Sequence, residues 1–225
     1  MSALSIVLVL GMGWLFFGCS RAGTENETAL KPERKPSSDS VSQDSRPLIV
    51  AFGDSLTAGS GVDPDFNYPS QLQNKIDAEG YRYRVVNAGV GGDTSGQGLG
   101  RIKSIIDLRP AIAVVELGAN DGLRGLPAST TQQNLDAIVR QLKNAGAKVI
   151  LAGMRVPPNY GPQYATAFHN IFGDVAKKHD IPLIPFFLEG VGGTAALNLD
   201  DGIHPTAEGY KIVVENVWKI LRPLL

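Results

Sequence analysis

The chain has 225 residues, of which 43% are hydrophobic and 19% are charged, and its formal net charge at pH 7 is -1. That length suits one domain with a substantial core, or at most two domains, and the near-neutral charge gives no electrostatic basis for binding nucleic acid. The single cysteine, Cys19, excludes an intramolecular disulfide framework and a metal cluster built from several cysteines.

The first residues form an apolar segment that we separate from the fold. Residues 1–20 contain no charged side chain, and Leu4 to Phe17 is a nearly continuous apolar run, which predicts an export signal or a membrane anchor. The stretch from Phe16 to Ser20 resembles a bacterial lipoprotein signal, in which a cysteine after a small residue is lipidated and becomes the new N-terminus.

This resemblance implies a lipoprotein-type signal peptide over residues 1–19, with Cys19 as the lipidated residue. We therefore expect an exported protein that a lipid holds to the membrane on the periplasmic or extracellular side of a bacterial envelope. An uncleaved anchor and an ordinary cleaved signal are the alternatives.

Residues 20–46 differ sharply in composition from the segment before them. Five basic side chains balance five acidic ones, and Ser, Thr and Pro fill most of the remaining positions. Such a segment cannot bury enough apolar surface to become ordered. We interpret it as a disordered polar tether with a coil dimension of about 30 Å.

From Pro47 onward, short apolar runs alternate with amphipathic stretches. The apolar runs, typical of buried parallel strands, are Leu48–Phe52, Tyr83–Asn87, Ala111–Leu117, Lys148–Ala152 and Pro182–Phe187. The predicted helices are Tyr68–Glu79, Ser95–Leu108, Thr131–Ala145, Gln163–His179 and Thr206–Leu221. This order predicts an α/β fold over residues 47–225, a three-layer α/β/α sandwich with a five-stranded parallel sheet. Functional groups of such folds collect at the carboxyl ends of the strands.

The loop after the first strand contains a serine at a strand-to-helix turn. Gly53-Asp54-Ser55-Leu56-Thr57 suits the start of a helix, where a serine is commonly an N-cap. The Gly-x-Ser-x-Gly elbow of ordinary α/β-hydrolases occurs nowhere in the chain. Ser55 can still be a nucleophile if a base takes its proton.

Asp201 and His204, near the end of the chain, are the carboxylate and the base that such a serine needs. A spacing of three residues lets the carboxylate bond the imidazole on one turn, which fixes its tautomer and stabilises its charged form. The spacing alone is common by chance. Combined with Ser55, it points to a hydrolase.

Two further loops offer hydrogen-bond donors. The glycine-rich loop Asn87–Ser95 opens a helix and lets a backbone N–H approach a ligand closely; a dinucleotide site is disfavoured because Thr94 stands where a third glycine is needed. The loop Glu116–Gly122 contains Asn120, whose amide is a donor that does not titrate. A simple Asn-Asp-Gly turn is the alternative interpretation there.

The four loops together resemble the SGNH (GDSL) hydrolase family, and the resemblance covers roughly Leu48 to Leu221. The motifs that carry it are Gly53-Asp54-Ser55-Leu56, Gly92 in Gly91-Gly92-Asp93-Thr94, Gly118-Ala119-Asn120-Asp121, and Asp201-Gly202-Ile203-His204-Pro205. Residues 92–99 and 115–125 are similar to the bacterial thioesterase I, arylesterase and lysophospholipase L1 subgroup.

The resemblance implies a flavodoxin-like sandwich and a serine esterase that needs no cofactor. It implies Ser55, His204 and Asp201 as nucleophile, base and orienting carboxylate. It also implies an oxyanion hole formed by the N–H groups of Ser55 and Gly92 and by the amide of Asn120. Small-molecule or lipid esters are the expected substrates.

Other features bear on metal binding and on the substrate. His169 and His179 are ten residues apart and do not share one helical face, so we expect no metal site. The loop of residues 122–127 and the loop of residues 154–160 should flank the cleft. Together they should provide an apolar wall for an acyl chain through Leu123, Leu126, Met154 and Val156. A carbohydrate O-acetyl esterase and a catalytically silent envelope binding protein remain as alternatives. The oligomeric state stays open.

Overall fold

The computed structural model describes residues 44–225, so the predicted signal peptide, its Cys19 and the tether up to Gln43 lie outside the described residues. The last residues of the predicted tether contact the domain. Arg46 donates to Asp44, to Asp77 and to the carbonyl of Tyr83. The compact unit begins at Asp44. Within residues 44–225, no helix is long and apolar enough to cross a bilayer.

Five parallel strands form one sheet in the order β2-β1-β3-β4-β5. The strands are β1 (Leu48–Gly53), β2 (Arg84–Gly89), β3 (Ile112–Glu116), β4 (Lys148–Ala152) and β5 (Leu183–Ile184). The helices are α1 (Ser55–Ala58), α2 (Tyr68–Ala78), α3 (Ser95–Gly100), α4 (Ile102–Asp107), α5 (Ala119–Leu123), α6 (Ala128–Asn144), α7 (Pro162–His179) and α8 (Ala207–Leu221). The predicted α/β fold with a five-stranded parallel sheet and flanking helices is confirmed.

The core lies on the central strands, which helices flank. Ile49, Val50, Ala51 and Phe52 of β1 have no exposed surface, as expected for a strand buried on both faces. Helix α2 packs with α8, while α6 packs with both α3 and α7. The apolar stripe of α6 at Leu135, Ile138, Val139 and Leu142 is fully buried.

Two predicted elements differ from the structure. The predicted helix Ser95–Leu108 breaks at Arg101, because the glycines of α3 propagate a helix poorly and Arg101 has a non-helical ψ of 12°. The predicted strand Pro182–Phe187 is paired only over Leu183–Ile184. Pro185 has no N–H to donate to the ladder.

The strand register fixes where the functional loops begin. Gly53 at the end of β1 is aligned with Gly89 of β2 and with Glu116 of β3. Three loops therefore leave the carboxyl edge of the sheet at the same level, where ligand sites of such folds form.

Candidate active site

Ser55 is the first residue of α1 and lies just beyond the end of β1. The turn requires glycine at position 53, because a Cβ there would overlap the side chains of Thr57 and Glu116. Asp54 caps the helix, with its Oδ1 accepting from the Leu56 N–H at 3.0 Å. The serine is thereby held at a short, well-capped strand-to-helix turn.

Asp201 and His204 lie at the tip of a small hairpin. The hairpin is closed by an antiparallel bridge between Asn198 and Pro205 and by a 2.8 Å bond from the Leu199 N–H to the His204 carbonyl. Gly202 has φ +68°, a left-handed conformation that favours glycine. This tight turn lets the Asp201 carboxylate reach the N–H groups of Ile203 and His204.

Asp201 bonds both the backbone and the ring of the histidine. Its Oδ1 accepts from the N–H groups of Ile203 at 2.8 Å and His204 at 3.0 Å, and its Oδ2 lies 2.7 Å from His204 Nδ1. Bonds from the His204 N–H, the His204 ring and the Ile203 N–H lower the pKa of Asp201 to about 2. The ionised carboxylate can only accept, so the shared proton belongs to Nδ1.

His204 also contacts Ser55. With Nδ1 protonated, Nε2 is an acceptor, and it lies 2.9 Å from Ser55 Oγ. The structure thus brings together the three residues that the sequence predicts as nucleophile, base and carboxylate, although 149 positions separate Ser55 from His204. A serine hydroxyl bonded to a neutral imidazole can lose its proton as it attacks a carbonyl.

The glycine-rich loop lies beside the serine. Gly92 has φ +82°, and a Cβ placed on Gly91 would lie 4.0 Å from Ser55 Cβ. Among residues 44–225, neither the Ser55 N–H nor the Gly92 N–H has a hydrogen-bond acceptor. Two backbone donors next to the serine are thus available to a ligand.

Asn120 also lies in this cluster, but its amide is engaged. Its Nδ2 donates to Asp54 Oδ2 and to the Asp93 carbonyl, both at 3.0 Å. Because both partners only accept, the NH₂ end of the amide must be the one that faces them. A substrate oxyanion would therefore share this amide with the two protein acceptors.

Arginines that the sequence analysis missed tie these loops together. Arg101 bonds Asp93 Oδ2 at 2.6 Å and the carbonyls of Ala88 and Gly53 at 2.9 and 2.8 Å. Arg124 donates to the Gly92 carbonyl at 2.8 Å. Arg124 lies within the stretch 115–125 that resembles the thioesterase I subgroup, but the sequence indicated no role for it or for Arg101, because both side chains bond loops distant in the chain.

Asp121 links the glycine-rich loop to the helices behind it. Its carboxylate is 1% exposed and accepts from the Ser95 N–H at 2.7 Å, the Ser95 hydroxyl at 2.5 Å and Thr131 at 3.1 Å. Asp54 and Asp121 both accept from loop backbone, whereas Asp93 pairs with an arginine. None of the three contacts Ser55 Oγ by a hydrogen bond within residues 44–225.

An apolar cavity of about 380 Å³ opens next to the serine. Leu56, which follows Ser55, and Ile203, which precedes His204, both line it. Of the four predicted wall residues, Leu123, Met154 and Val156 line the cavity and Leu126 does not. The Leu126 N–H instead donates to the Asp121 carbonyl of α5, and the Leu126 carbonyl accepts from the Tyr164 hydroxyl of α7.

The cavity has further apolar walls that the sequence did not indicate, from Phe186, Leu188 and Pro157. Arg155 is the charged lining residue, and its guanidinium lies 4.6 Å from the centre of the Phe186 ring. In the part of the chain from 44 onward, no group of three or more metal-ligating side chains is found. His179 instead lies 2.8 Å from Asp136.

Comparison with known proteins identifies the family. The sequence matches the GDSL-like lipase/acylhydrolase family over residues 51–212. It is 46% identical over 178 residues to esterase TesA of Pseudomonas aeruginosa, covering 79% of this chain and 89% of that protein. It is 39% identical over 178 residues to thioesterase 1/protease 1/lysophospholipase L1 of Escherichia coli K12, covering 79% of this chain and 84% of that protein.

A solved structure gives the same result. The psychrotrophic esterase EstA from Pseudoalteromonas sp., in a crystal structure inhibited by monoethylphosphonate, has a TM-score of 0.75 and 32% identity, covering 78% of this chain and 97% of that one. The protein described here therefore belongs to the GDSL-like lipase/acylhydrolase family and is an SGNH hydrolase.

Proposed function

We propose that the protein hydrolyses carboxylic esters through an acyl-enzyme formed on Ser55. The observation that carries this proposal is the continuous hydrogen-bonded chain from Ser55 Oγ through the His204 ring to Asp201, at 2.9 and 2.7 Å. Ser55 Oγ attacks the ester carbonyl while His204 Nε2 takes its proton, and the leaving alcohol then receives that proton from His204. Water, activated by the same imidazole, hydrolyses the acyl-enzyme.

The tetrahedral intermediate carries a negative oxygen that needs donors. The N–H groups of Ser55 and Gly92 have no acceptor among residues 44–225 and serve this purpose. The Asn120 amide contributes as the third donor by sharing its protons with the oxyanion. In this scheme no step requires a cofactor.

Ser55→Ala should abolish covalent labelling by a fluorophosphonate probe and nearly all ester hydrolysis, because the attacking oxygen is lost. Asp201→Asn should leave the fold intact but slow turnover by about 10⁴-fold, since the neutral amide no longer fixes the Nδ1–H tautomer. Rates on an aryl ester, labelling followed by peptide mapping, and circular dichroism test both variants. Covalent labelling at a different serine would refute the assignment of Ser55, whereas a wild type that takes no label and hydrolyses no ester would be a catalytically silent protein.

Asn120→Ala should reduce kcat by about 10²- to 10³-fold while changing KM little, because its amide acts mainly on the transition state. Gly92→Ala keeps the backbone N–H but places a Cβ at φ +82°, and the resulting backbone shift should misplace this donor and lower kcat as well. Gly146→Ala is a matched control. Gly146 has φ +88°, close to the +82° of Gly92, and a Cβ there meets no atom within 4 Å. It should therefore lose stability through backbone strain but keep its kcat. An Asn120→Ala enzyme with raised KM and unchanged kcat would make Asn120 a ground-state binding residue.

We propose that the apolar cavity binds the acyl chain of the substrate. Its lining includes Leu56, which follows Ser55, and Ile203, which precedes His204, so a chain attached to the reacting carbonyl can enter it. Its lining favours aryl and alkyl esters with medium acyl chains, and it suits thioesters and lysophospholipids equally well in chemical terms. An acetyl group would leave most of the cavity unused.

On p-nitrophenyl esters, kcat/KM should rise from acetate to octanoate by up to about fourfold per added methylene, corresponding to about 0.8 kcal/mol each. Leu123→Ala should flatten this rise, because Leu123 lines the cavity and is 36% exposed. Leu108→Ala is the matched control, since Leu108 is 39% exposed and lies outside the cavity. A strict preference for acetylated sugars with no octanoate activity would instead support the carbohydrate O-acetyl esterase.

We also propose that Cys19 is lipidated and that the mature enzyme is anchored to the outer side of a bacterial membrane. The support is the apolar run of Leu4 to Phe17 followed by Gly18-Cys19. The long polar segment after Cys19 separates the anchor from the catalytic domain.

Cys19→Ser should move the enzyme from the membrane fraction to a soluble or unprocessed form without changing its specific activity, because the site lies in residues 44–225. Metabolic labelling with a fatty-acid analogue should mark the wild type alone. An unlabelled wild type that stays membrane-bound at full length would favour the uncleaved anchor.

A further inference from the structure

A carboxyl group that the proposed mechanism does not use lies directly beneath the serine. Glu116 ends β3 in register with Gly53 and has no exposed surface. Its Oε2 accepts from the Thr57 hydroxyl at 2.7 Å and from the Asp54 N–H at 3.3 Å. These two donors lie on either side of Ser55 in the chain, so one buried oxygen holds both ends of the nucleophile turn.

The other oxygen of Glu116 has no partner within residues 44–225. Oε1 is buried without a hydrogen bond among the described residues, and so are the hydroxyls of Tyr68 and Tyr210. An ionised carboxylate would leave a negative oxygen buried with no donor, which is far more costly than burying a neutral carboxyl. A protonated Oε1 is instead a donor in a pocket that contains hydroxyl oxygens.

A second carboxyl competes for the same buried charge. Asp54 is 0% exposed and receives donors from the Leu56 N–H and from Asn120, both at 3.0 Å. Burial raises its pKa to about 6, against the lowering effect of these bonds and of His204. Burial and then the nearby charge of Asp54 raise the pKa of Glu116 well above its ordinary value. Asp54, which has a donor on each carboxylate oxygen, is thus the partner that ionises.

The remaining groups that face Glu116 carry no charge. Tyr68 from α2 and Tyr210 from α8 both have their pKa raised, first by burial and then by Glu116, so both stay protonated. Asp54 is also close to two other titratable residues, His204 and Asp93. Within residues 44–225, the charge that acts on the Glu116 carboxyl is the negative one of Asp54, which disfavours the ionised form of Glu116.

We propose that Glu116 is a positioning residue that remains an uncharged carboxylic acid. It holds the turn around Ser55 through hydrogen bonds from Thr57 and Asp54. Asp54 then carries the single negative charge of the two buried carboxyl groups. This inference rests on the proposed role of Ser55. Glu116 acts through Asp54 and Thr57 and does not touch the reacting atoms. The ionised Asp54 in turn holds the Asn120 amide in its orientation.

Glu116→Gln and Glu116→Ala separate this role from a charged one. Glutamine resembles a protonated acid, since it pairs an oxygen acceptor with an uncharged NH₂ donor group, and should keep kcat within about twofold of wild type at pH 7. Alanine leaves the Thr57 hydroxyl and the Asp54 N–H unpaired, and should lower kcat by about 10- to 100-fold with KM nearly unchanged, as a misplaced nucleophile does. If kcat is normal in Glu116→Gln and low in Glu116→Ala, the position requires the hydrogen bonds of a neutral side chain.

Stability measured against pH provides a readout that does not depend on catalysis. A carboxyl whose folded pKa is raised contributes stability that is full below the unfolded value of about 4.3 and is lost as pH rises towards the folded value. Over that window the unfolding constant of wild type should grow relative to Glu116→Gln by up to tenfold per pH unit. Glu79→Gln, at an exposed glutamate on the end of α2, is the control, and its unfolding constant should keep the same ratio to that of wild type across this window.

An infrared difference between wild type and Glu116→Gln should contain the carbonyl band of a protonated carboxyl at neutral pH.

The outcomes are separable. A Glu116→Gln enzyme as slow as Glu116→Ala, or a stability difference that does not change with pH, would overturn the neutral acid. A Glu116→Ala enzyme with lowered Tm but normal kcat would make Glu116 purely structural. Should Ser55→Ala retain activity, the proposed nucleophile would fail while the protonation of Glu116 could still be measured by stability and infrared absorption.

Discussion

The site depends on one register of the parallel sheet. Because Gly53, Gly89 and Glu116 are aligned across β1, β2 and β3, three loops leave the sheet at the same level. Ser55 follows two residues after Gly53, and Gly92 follows three residues after Gly89, so short loops suffice to bring them together. A one-residue slip of β3 would also turn Glu116 away from the serine turn, since side chains alternate along a strand.

Local patterns could be predicted from the sequence, because their causes lie within a few residues. Asp201 and His204 are three positions apart, and one turn is enough to bring carboxylate and imidazole to 2.7 Å. The strand Lys148–Ala152 has its predicted bounds because polar or glycine-containing turns flank a single apolar run. Ser55 could be singled out because the glycine and the capping aspartate that shape its turn precede it directly.

Features that depend on distant contacts could not be predicted. Arg101 reaches the carbonyls of two strands and a third loop, and nothing in its neighbourhood distinguishes it from a solvated helix residue. Leu126 fits the apolar pattern of the cleft loop, yet it does not line the cavity, and its backbone bonds Asp121 and Tyr164, which are distant from the pattern that predicted it. Glu116 lies within the motif of residues 115–125, but its carboxyl is buried only because α2 and α8 pack around it.

The carboxyl groups near His204 divide into a solvated one and a buried pair. The Asp201 side chain is 45% exposed, and bonds from its own loop keep it ionised at any ordinary pH. Asp54 is buried, so its attraction to a positive imidazole is screened less by water. In the proposed mechanism, the imidazolium formed when Ser55 gives up its proton is therefore stabilised by two negative charges, those of Asp201 and Asp54. The buried charge is tolerable only while Glu116 beside it is neutral, because two ionised carboxylates would repel strongly there. On the proposals made above, a proton on Glu116 would thus contribute to the charge balance of the transition state through Asp54.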